Sequence, residues 1–387
     1  MKDNALRYAM QACEAIMVKY SPEELPPKGC FFYHQGVFLS GMERLYELTG
    51  NPKYFQYIKD YVDYVLGPNG ELYGFCHELG LREESRFAGK ELTMLDCKQP
   101  VILLYKLYDE TGDEKYMNAI KTIGESMYYW PVNEYGGYWH MMNQHNQMWM
   151  DGAYMCGPLS VKYAKRFGEN VLRERAINQI FIMNEHIKDP KTGLYFHGWD
   201  PTKRARWADT KTGLSESIWG RAVGWYAVAI LDMLDDIPKD HPSVARLKQI
   251  EADLLEALVK YQDPKTGMWY EVLDKPGTEG NWVESSCTHL FIYSYAKAIR
   301  QGIVSKEKYA PVLQKAYKGS VDALYYDEKG QLVVDYVCIG TCIDAGTYEH
   351  YINRERTQND LHGMGAFVLM CTEMEKYHHT LPVMWCM

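Results

Sequence analysis

Apolar residues recur at helical spacing along most of the chain, and short corners carrying a glycine interrupt them. Two corners are nearly the same sentence, "ELTGNPKYFQYI" (47 to 58) and "DETGDEKYMNAI" (109 to 120), with "KRFGENVLRERAI" (165 to 177) a looser copy. In each, a Gly closes one helical pattern before the next begins. Reading outward from the corners predicts about twelve helices, near 3–20, 34–49, 52–65, 96–111, 114–128, 147–166, 170–187, 217–236, 243–261, 284–300, 305–323 and 360–378.

These helices alternate in character. Residues 169–187 are one-sided, with Leu172, Ile177, Ile180 and Phe181 opposed to Arg173, Glu174 and Arg175. Residues 148–164 are apolar nearly all round, as a buried helix requires. An outer ring of one-sided helices around an inner ring of buried ones predicts an all-α fold: six helical hairpins closed into an (α/α)6 barrel, one domain over residues 1–387. Glycine pairs on the inner helices (Gly36 and Gly41, Gly152 and Gly157, Gly220 and Gly224, Gly363 and Gly365) weaken helix propensity but allow close approach. The alternative is an open superhelix of hairpins, which needs polar capping repeats that the chain ends lack.

A second phrase, a Gly followed by a short aromatic or β-branched stretch, recurs as "NGELYGF" (69 to 75), "YGGYWHM" (135 to 141), "TGLYFHGWD" (192 to 200), "TGMWYEVLD" (266 to 274) and "KGQLVVDYV" (329 to 337). Its spacing of 57 to 74 residues suits one hairpin plus a long loop. Such loops precede inner helices, whose first turns would therefore ring one mouth. Those turns are polar: "YHQG" (33 to 36), "MLDCKQP" (94 to 100), "QMWMDG" (147 to 152), "SIWGRAVGW" (217 to 225), "ESSCTH" (284 to 289) and "TQNDLHG" (357 to 363). A single Asp in a first turn is ordinarily a cap. Six polar turns converging on one mouth predict a concave site. Free N–H groups and the forked cation of Arg221 favour a carboxylate ligand, and Trp149, Trp199, Trp219, Trp225 and Tyr33 offer faces that stack on sugar rings. Asp151, set among Trp149, Met148, Met150, Tyr154, Met155 and Leu159, is in a setting where an unpaired charge is costly.

Composition narrows the choice. The 387 residues are 47% hydrophobic and 24% charged, enough for a sizeable core. The net charge of -9 is spread without a basic stripe, which argues against nucleic acid as a partner. The N-terminus is punctuated by Lys2, Asp3, Arg7, Glu14 and Lys19, unlike a signal peptide, and no apolar run reaches the roughly 18 residues of a membrane span. Ten scattered cysteines without CxxC, and the absence of HExxH, predict buried reduced thiols, a cytoplasmic setting, and neither metal nor cofactor.

Several of these phrases are familiar together: "YHQGVFLSGMERLYELTG", "QMWMDGAYMCGPLSVKYA", "KTGLYFHGWD", "WGRAVGWY", "YQDPKTGMWYEVLDK" with "NWVESS", and "NRERTQNDLHGMGAF". From about residue 20 to 378 the chain resembles glycoside hydrolase family 105, the unsaturated rhamnogalacturonyl hydrolases, and more distantly the unsaturated glucuronyl hydrolases of family 88. The resemblance implies an (α/α)6 barrel that acts without a metal on small oligosaccharides left by polysaccharide lyases, which end in an unsaturated uronate. Such enzymes hydrate the C4=C5 double bond, after which the sugar opens and is released. Asp151 would be the general acid and base, and its apolar wall together with the nearby charge of Asp96 would raise its pKa so that it keeps a proton. His140 and His197 would hydrogen-bond the sugar. Trp219, Arg221 and Trp225 would hold its ring and carboxylate, and Tyr33 would close the pocket; Asp360 and His362 would stabilise the last inner helix. Met141 stands where relatives often carry a basic residue, and residues 75–94 look longer than usual, so the leaving sugar need not be rhamnose. Two rivals keep the barrel: an inverting glycosidase on saturated sugars with Asp96 and Asp151 as its acid and base, or a non-catalytic carbohydrate-binding protein.

Overall fold

The computed structural model describes residues 5–73, 86–87 and 93–380. Its helices are α1 (Ala5–Lys19), α2 (Tyr33–Thr49), α3 (Pro52–Val65), α4 (Ile102–Thr111), α5 (Glu114–Ser126), α6 (Gly152–Phe167), α7 (Val171–His186), α8 (Gly220–Asp236), α9 (Val244–Val259), α10 (Ser285–Arg300), α11 (Lys306–Asp322), the short α12 (Tyr348–Ile352) and α13 (Leu361–His379).

The two near-identical corners work by one local mechanism. Gly50 and Gly112 take the left-handed conformation, φ 65° and 66°, and end α2 and α4 by bonding back to the Tyr46 and Tyr108 carbonyls. The side chains of Asn51 and Asp113 then accept from the N–H groups of Lys53 and Lys115 and open α3 and α5.

Helices α2, α4, α6, α8, α10 and α13 form the inner ring, each packed on the next, and α13 lies along α2 to close it. The remaining long helices lie outside, and α1 covers α13, so the first helix of the fold backs the last. Every residue of α10 from Ser285 to Ile299 is buried, whereas outer α7 buries Leu172, Ile177 and Ile180 and leaves Arg173 to Arg175 toward solvent or half-buried. This is the (α/α)6 barrel that the alternation of faces predicts. Close approach at the closing seam uses glycine: a Cβ on Gly365 would stand 2.6 Å from Val37 Cγ1 and 2.8 Å from the Phe38 backbone nitrogen.

The structure departs from the expected helices at their lead-ins. Residues 95–97 and 99–101 are two 3-10 turns instead of the first turns of α4, because Pro100 has no N–H to continue an α-helical ladder. Residues 148–149 and 217–219 are extended, and the helices start at Gly152 and Gly220. These lead-ins are extended because they pair with the recurring aromatic phrases: Met94 bridges Met141, Met148–Trp149 pairs with Gly198–Trp199, and Trp219 bridges Val272. The spacing near sixty is thus the interval between successive bridges along the ring. Helix α12, unforeseen from periodicity, is five residues long and capped by Thr347. Most of the 75–94 stretch lies outside the described residues. Among the described residues Cys13, Cys156, Cys287 and Cys338 are buried free thiols, and no helix is long and apolar enough to cross a membrane.

Candidate active site

Two of the bridges each deliver a carboxylate to an imidazole. The Met94–Met141 bridge, with Leu95 N–H bonded to the His140 carbonyl, sets Asp96 beside His140, whose Nε2 is 2.9 Å from Asp96 Oδ2. One hairpin further, the Met150 N–H bonds to the His197 carbonyl and sets Asp151 beside His197, whose Nε2 is 3.0 Å from Asp151 Oδ2. The other ring nitrogen, Nδ1, lies 2.7 Å from the Tyr351 hydroxyl on α12. A neutral imidazole donates from one nitrogen and accepts at the other. His197 therefore donates from Nε2 to Asp151 and accepts at Nδ1 from Tyr351.

Burial would raise the Asp151 pKa, but the polar Nε2–H that His197 donates to it, with a smaller contribution from His140, brings it below the usual carboxylate value. This corrects the expectation of a raised pKa. The apolar wrapping is present, yet imidazoles brought in from other hairpins outweigh it. Burial dominates at His197 and lowers its pKa, which keeps the ring neutral. At His140 burial acts the same way but Asp96 outweighs it, and the pKa is raised. The charge of Asp96 is met by His140, which lies 2.9 Å from it.

Asp96, Asp151, His140 and Tyr33 face one cavity of about 160 Å³, together with Phe32, His34, Met94, Met141, Trp149 and residues 340–342. Its apolar wall consists of Trp149, Met94, Met141 and Phe32; Met148 and Met150 are buried behind it. Trp149 lies flat on His140, ring centroids 4.4 Å apart. His197, Trp219 and Trp225 stand behind the lining. Trp219 packs against His197 and donates to Glu271 at 2.8 Å, while Trp225 stacks on Tyr154 deeper in the barrel. Trp199 stacks on His186, away from the cavity.

Arg221 is fully buried, and its guanidinium donates to the carbonyls of Cys338 (2.5 Å) and Ile339 (2.8 Å). It thereby fixes the chain that continues into the cavity wall at Gly340, Thr341 and Cys342. Arg354 holds the Gly340 carbonyl of the same stretch, and His350 the Cys342 carbonyl at 2.9 Å. Asp360 does cap α13, accepting from the His362 N–H, but the pair reaches further: His362 Nε2 is 2.6 Å from the Tyr33 hydroxyl and Nδ1 bonds Asp360. Sequence reading missed Tyr351, His34, Phe32 and the 340–342 wall. His34 stands in a phrase already singled out; no periodic signal marks the others. Among the described residues no group of three His, Cys, Asp or Glu side chains converges as a metal site.

A closed ring of six helical hairpins, with carboxylates facing a cavity at one mouth, is an architecture of sugar-cleaving enzymes. The profile of Glycosyl Hydrolase Family 88 matches residues 8–378, and the chain belongs to that family, among its family 105 glycoside hydrolases. A family 105 glycoside hydrolase from C. acetobutylicum superposes with a TM-score of 0.87 at 28% identity, over 95% of this chain and 99% of the other. The unsaturated rhamnogalacturonyl hydrolase YesR of Bacillus subtilis is 27% identical over 80% of this chain and 79% of its own length. Protein Atu3128 of Agrobacterium fabrum is 31% identical over 56% of this chain and 96% of its own.

Proposed function

We propose that this enzyme releases the terminal Δ4,5-unsaturated uronate, an unsaturated galacturonate, from oligosaccharides that a lyase has cut from the rhamnogalacturonan of pectin. The observation that carries the reading is the Asp151 carboxylate, hydrogen-bonded by His197 at the wall of a cavity with room for one sugar ring. A carboxyl group there can protonate C4 and take the proton of the water that adds at C5. The hydrated sugar then opens, and the bond to the leaving sugar is lost.

With its pKa held below the usual carboxylate value, Asp151 must take up a proton when substrate binds. The substrate's own carboxylate supplies the cause: a second negative charge entering a buried cavity raises the pKa of the first. Asp96 with His140 would hold the sugar's hydroxyls, Trp149 and Tyr33 its faces, and Arg221 and Trp219 would act through the wall and the imidazole they support. The apolar patch of Met94, Met141 and Phe32 suits the methyl group of a 6-deoxy sugar such as rhamnose in the leaving position.

Unsaturated disaccharides from rhamnogalacturonan, homogalacturonan, ulvan and glycosaminoglycans test the reading. The ultraviolet absorbance of the conjugated double bond is expected to disappear fastest with the rhamnogalacturonan product. New reducing ends with unchanged absorbance would favour a glycosidase acting at the anomeric carbon.

A further inference from the structure

The hydration chemistry leaves one proton without an acceptor. Once Asp151 has given a proton to C4 and taken one from water, it is again a carboxylic acid. C5 now carries both a hydroxyl and the ring oxygen. To open, the hydroxyl must lose a proton and the ring oxygen must gain one. Asp151 can donate to the ring oxygen, but it cannot also be the base. Asp96 is already engaged by His140, whose Nε2 lies 2.9 Å from its Oδ2. His34 lines the cavity too, but burial pushes its pKa well down.

On the wall formed by α2 and α13 stands a different group. Tyr33 faces the cavity, its hydroxyl 2.6 Å from His362 Nε2, and His362 Nδ1 is held by Asp360. The ring of His34 lies against His362, centroids 3.9 Å apart. The other charged groups that Tyr33 senses are Arg221, Asp96 and Asp151. Asp360 and His362 also line a second, larger cavity of about 590 Å³. A hydroxyl backed by an imidazole, itself backed by a carboxylate, is an arrangement that accepts a proton without leaving an unbalanced charge. Burial keeps the Tyr33 phenol neutral, so it passes a proton on and does not store one.

We propose that Tyr33, backed by His362 and Asp360, is a second acid–base centre of the catalytic cavity and serves the ring-opening step. This role rests on the hydration reading above. The C5 hydroxyl gives its proton to the Tyr33 oxygen as Tyr33 passes its own to His362 Nε2. The hydroxyl electron pair forms C5=O, and the C5 bond to the ring oxygen breaks with its electrons remaining on that oxygen. The ring oxygen takes the Asp151 proton. The imidazolium, balanced by Asp360, keeps the transferred proton until product leaves. The proton then returns through Tyr33 and water to Asp151, or exchanges with solvent through the second cavity. Tyr33 is a catalytic residue in this scheme, and His362 acts through it.

Rapid mixing of an unsaturated disaccharide with the parent, Tyr33→Phe and His362→Gln enzymes separates the two steps. Both variants are expected to bleach the alkene within about threefold of the parent while sugar release slows by about tenfold or more. Mass spectrometry would then find the intact disaccharide carrying one added water. Variants in which bleaching and release fall together, or both stay parental, would overturn this role alone. A parent that frees sugar without bleaching would overturn the hydration reading and this role with it. Tyr33→Phe removes only a hydroxyl, so it decides the matter if His362→Gln does not fold.

Discussion

A carboxylate wrapped in apolar side chains ought to hold its proton, yet Asp151 loses its proton below the usual carboxylate pH because His197 donates to it and His140 lies close by. The apolar neighbours of Asp151 are visible along the chain, and His140 and His197 are expected at the sugar, but their pairing with Asp96 and Asp151 depends on bridges between hairpins. The same limit applies to Arg221, read from its phrase as a cation at the mouth for a ligand carboxylate, but found fully buried and clamping the Cys338 and Ile339 carbonyls. The depressed pKa has a kinetic consequence. If Asp151 must be protonated to act, kcat/KM, which reports the free enzyme, is expected to fall about tenfold per pH unit as pH rises above that low pKa. kcat reports the complex, where the substrate carboxylate raises the pKa, and is expected to stay level to a higher pH. Calorimetry in buffers of different ionisation enthalpy would register the accompanying uptake of about one proton on binding. A flat kcat/KM from acid to neutral pH would contradict this assignment.

At the scale of elements, the two corners around Gly50 and Gly112 were legible because a left-handed glycine followed by an Asn or Asp cap is a local device. The lead-ins at 148–149 and 217–219 were not, since their extended form depends on pairing with a segment some fifty residues away. Helix α12 is too short to show a period, and its Tyr351 reaches the site only through the third dimension. The glycine pairs were read correctly as places of close approach, and Gly365 tests that reading. In Gly365→Ala the new methyl would meet the Phe38 backbone nitrogen, which cannot swing aside as a side chain can. The seam between α13 and α2 must then part, at a cost of about 1–3 kcal/mol, measurable by urea unfolding. An unchanged midpoint would show that the seam has room for the methyl.

Over the whole molecule, the alternation of one-sided and all-round apolar helices carried the architecture, because a closed ring must bury one set on every side. What alternation does not reveal is which charges the ring encloses. Glu271 is fully buried beneath the site, and burial, with the charge of Glu284, lifts its pKa to about 8. Folding therefore binds a proton that the unfolded chain releases above the ordinary Glu value of about 4.3. From there to about pH 8 stability is expected to decline with rising pH, by roughly 1.4 kcal/mol per unit from this group, and to level off above it. Glu271→Gln, which can still accept from Trp219, is expected to remove that part of the slope in thermal unfolding across the range. An identical slope in the variant would assign the dependence to other groups.

Hydration of the double bond with Asp151 as the source of the proton at C4, as proposed above, leaves an isotopic mark. Turnover of an unsaturated rhamnogalacturonan disaccharide in deuterium oxide tests it directly. One solvent deuteron is expected on C4 of the uronate released by the parent enzyme, and neither deuteration nor release with Asp151→Asn. A released uronate that retains its C4=C5 bond and carries no deuterium would contradict it.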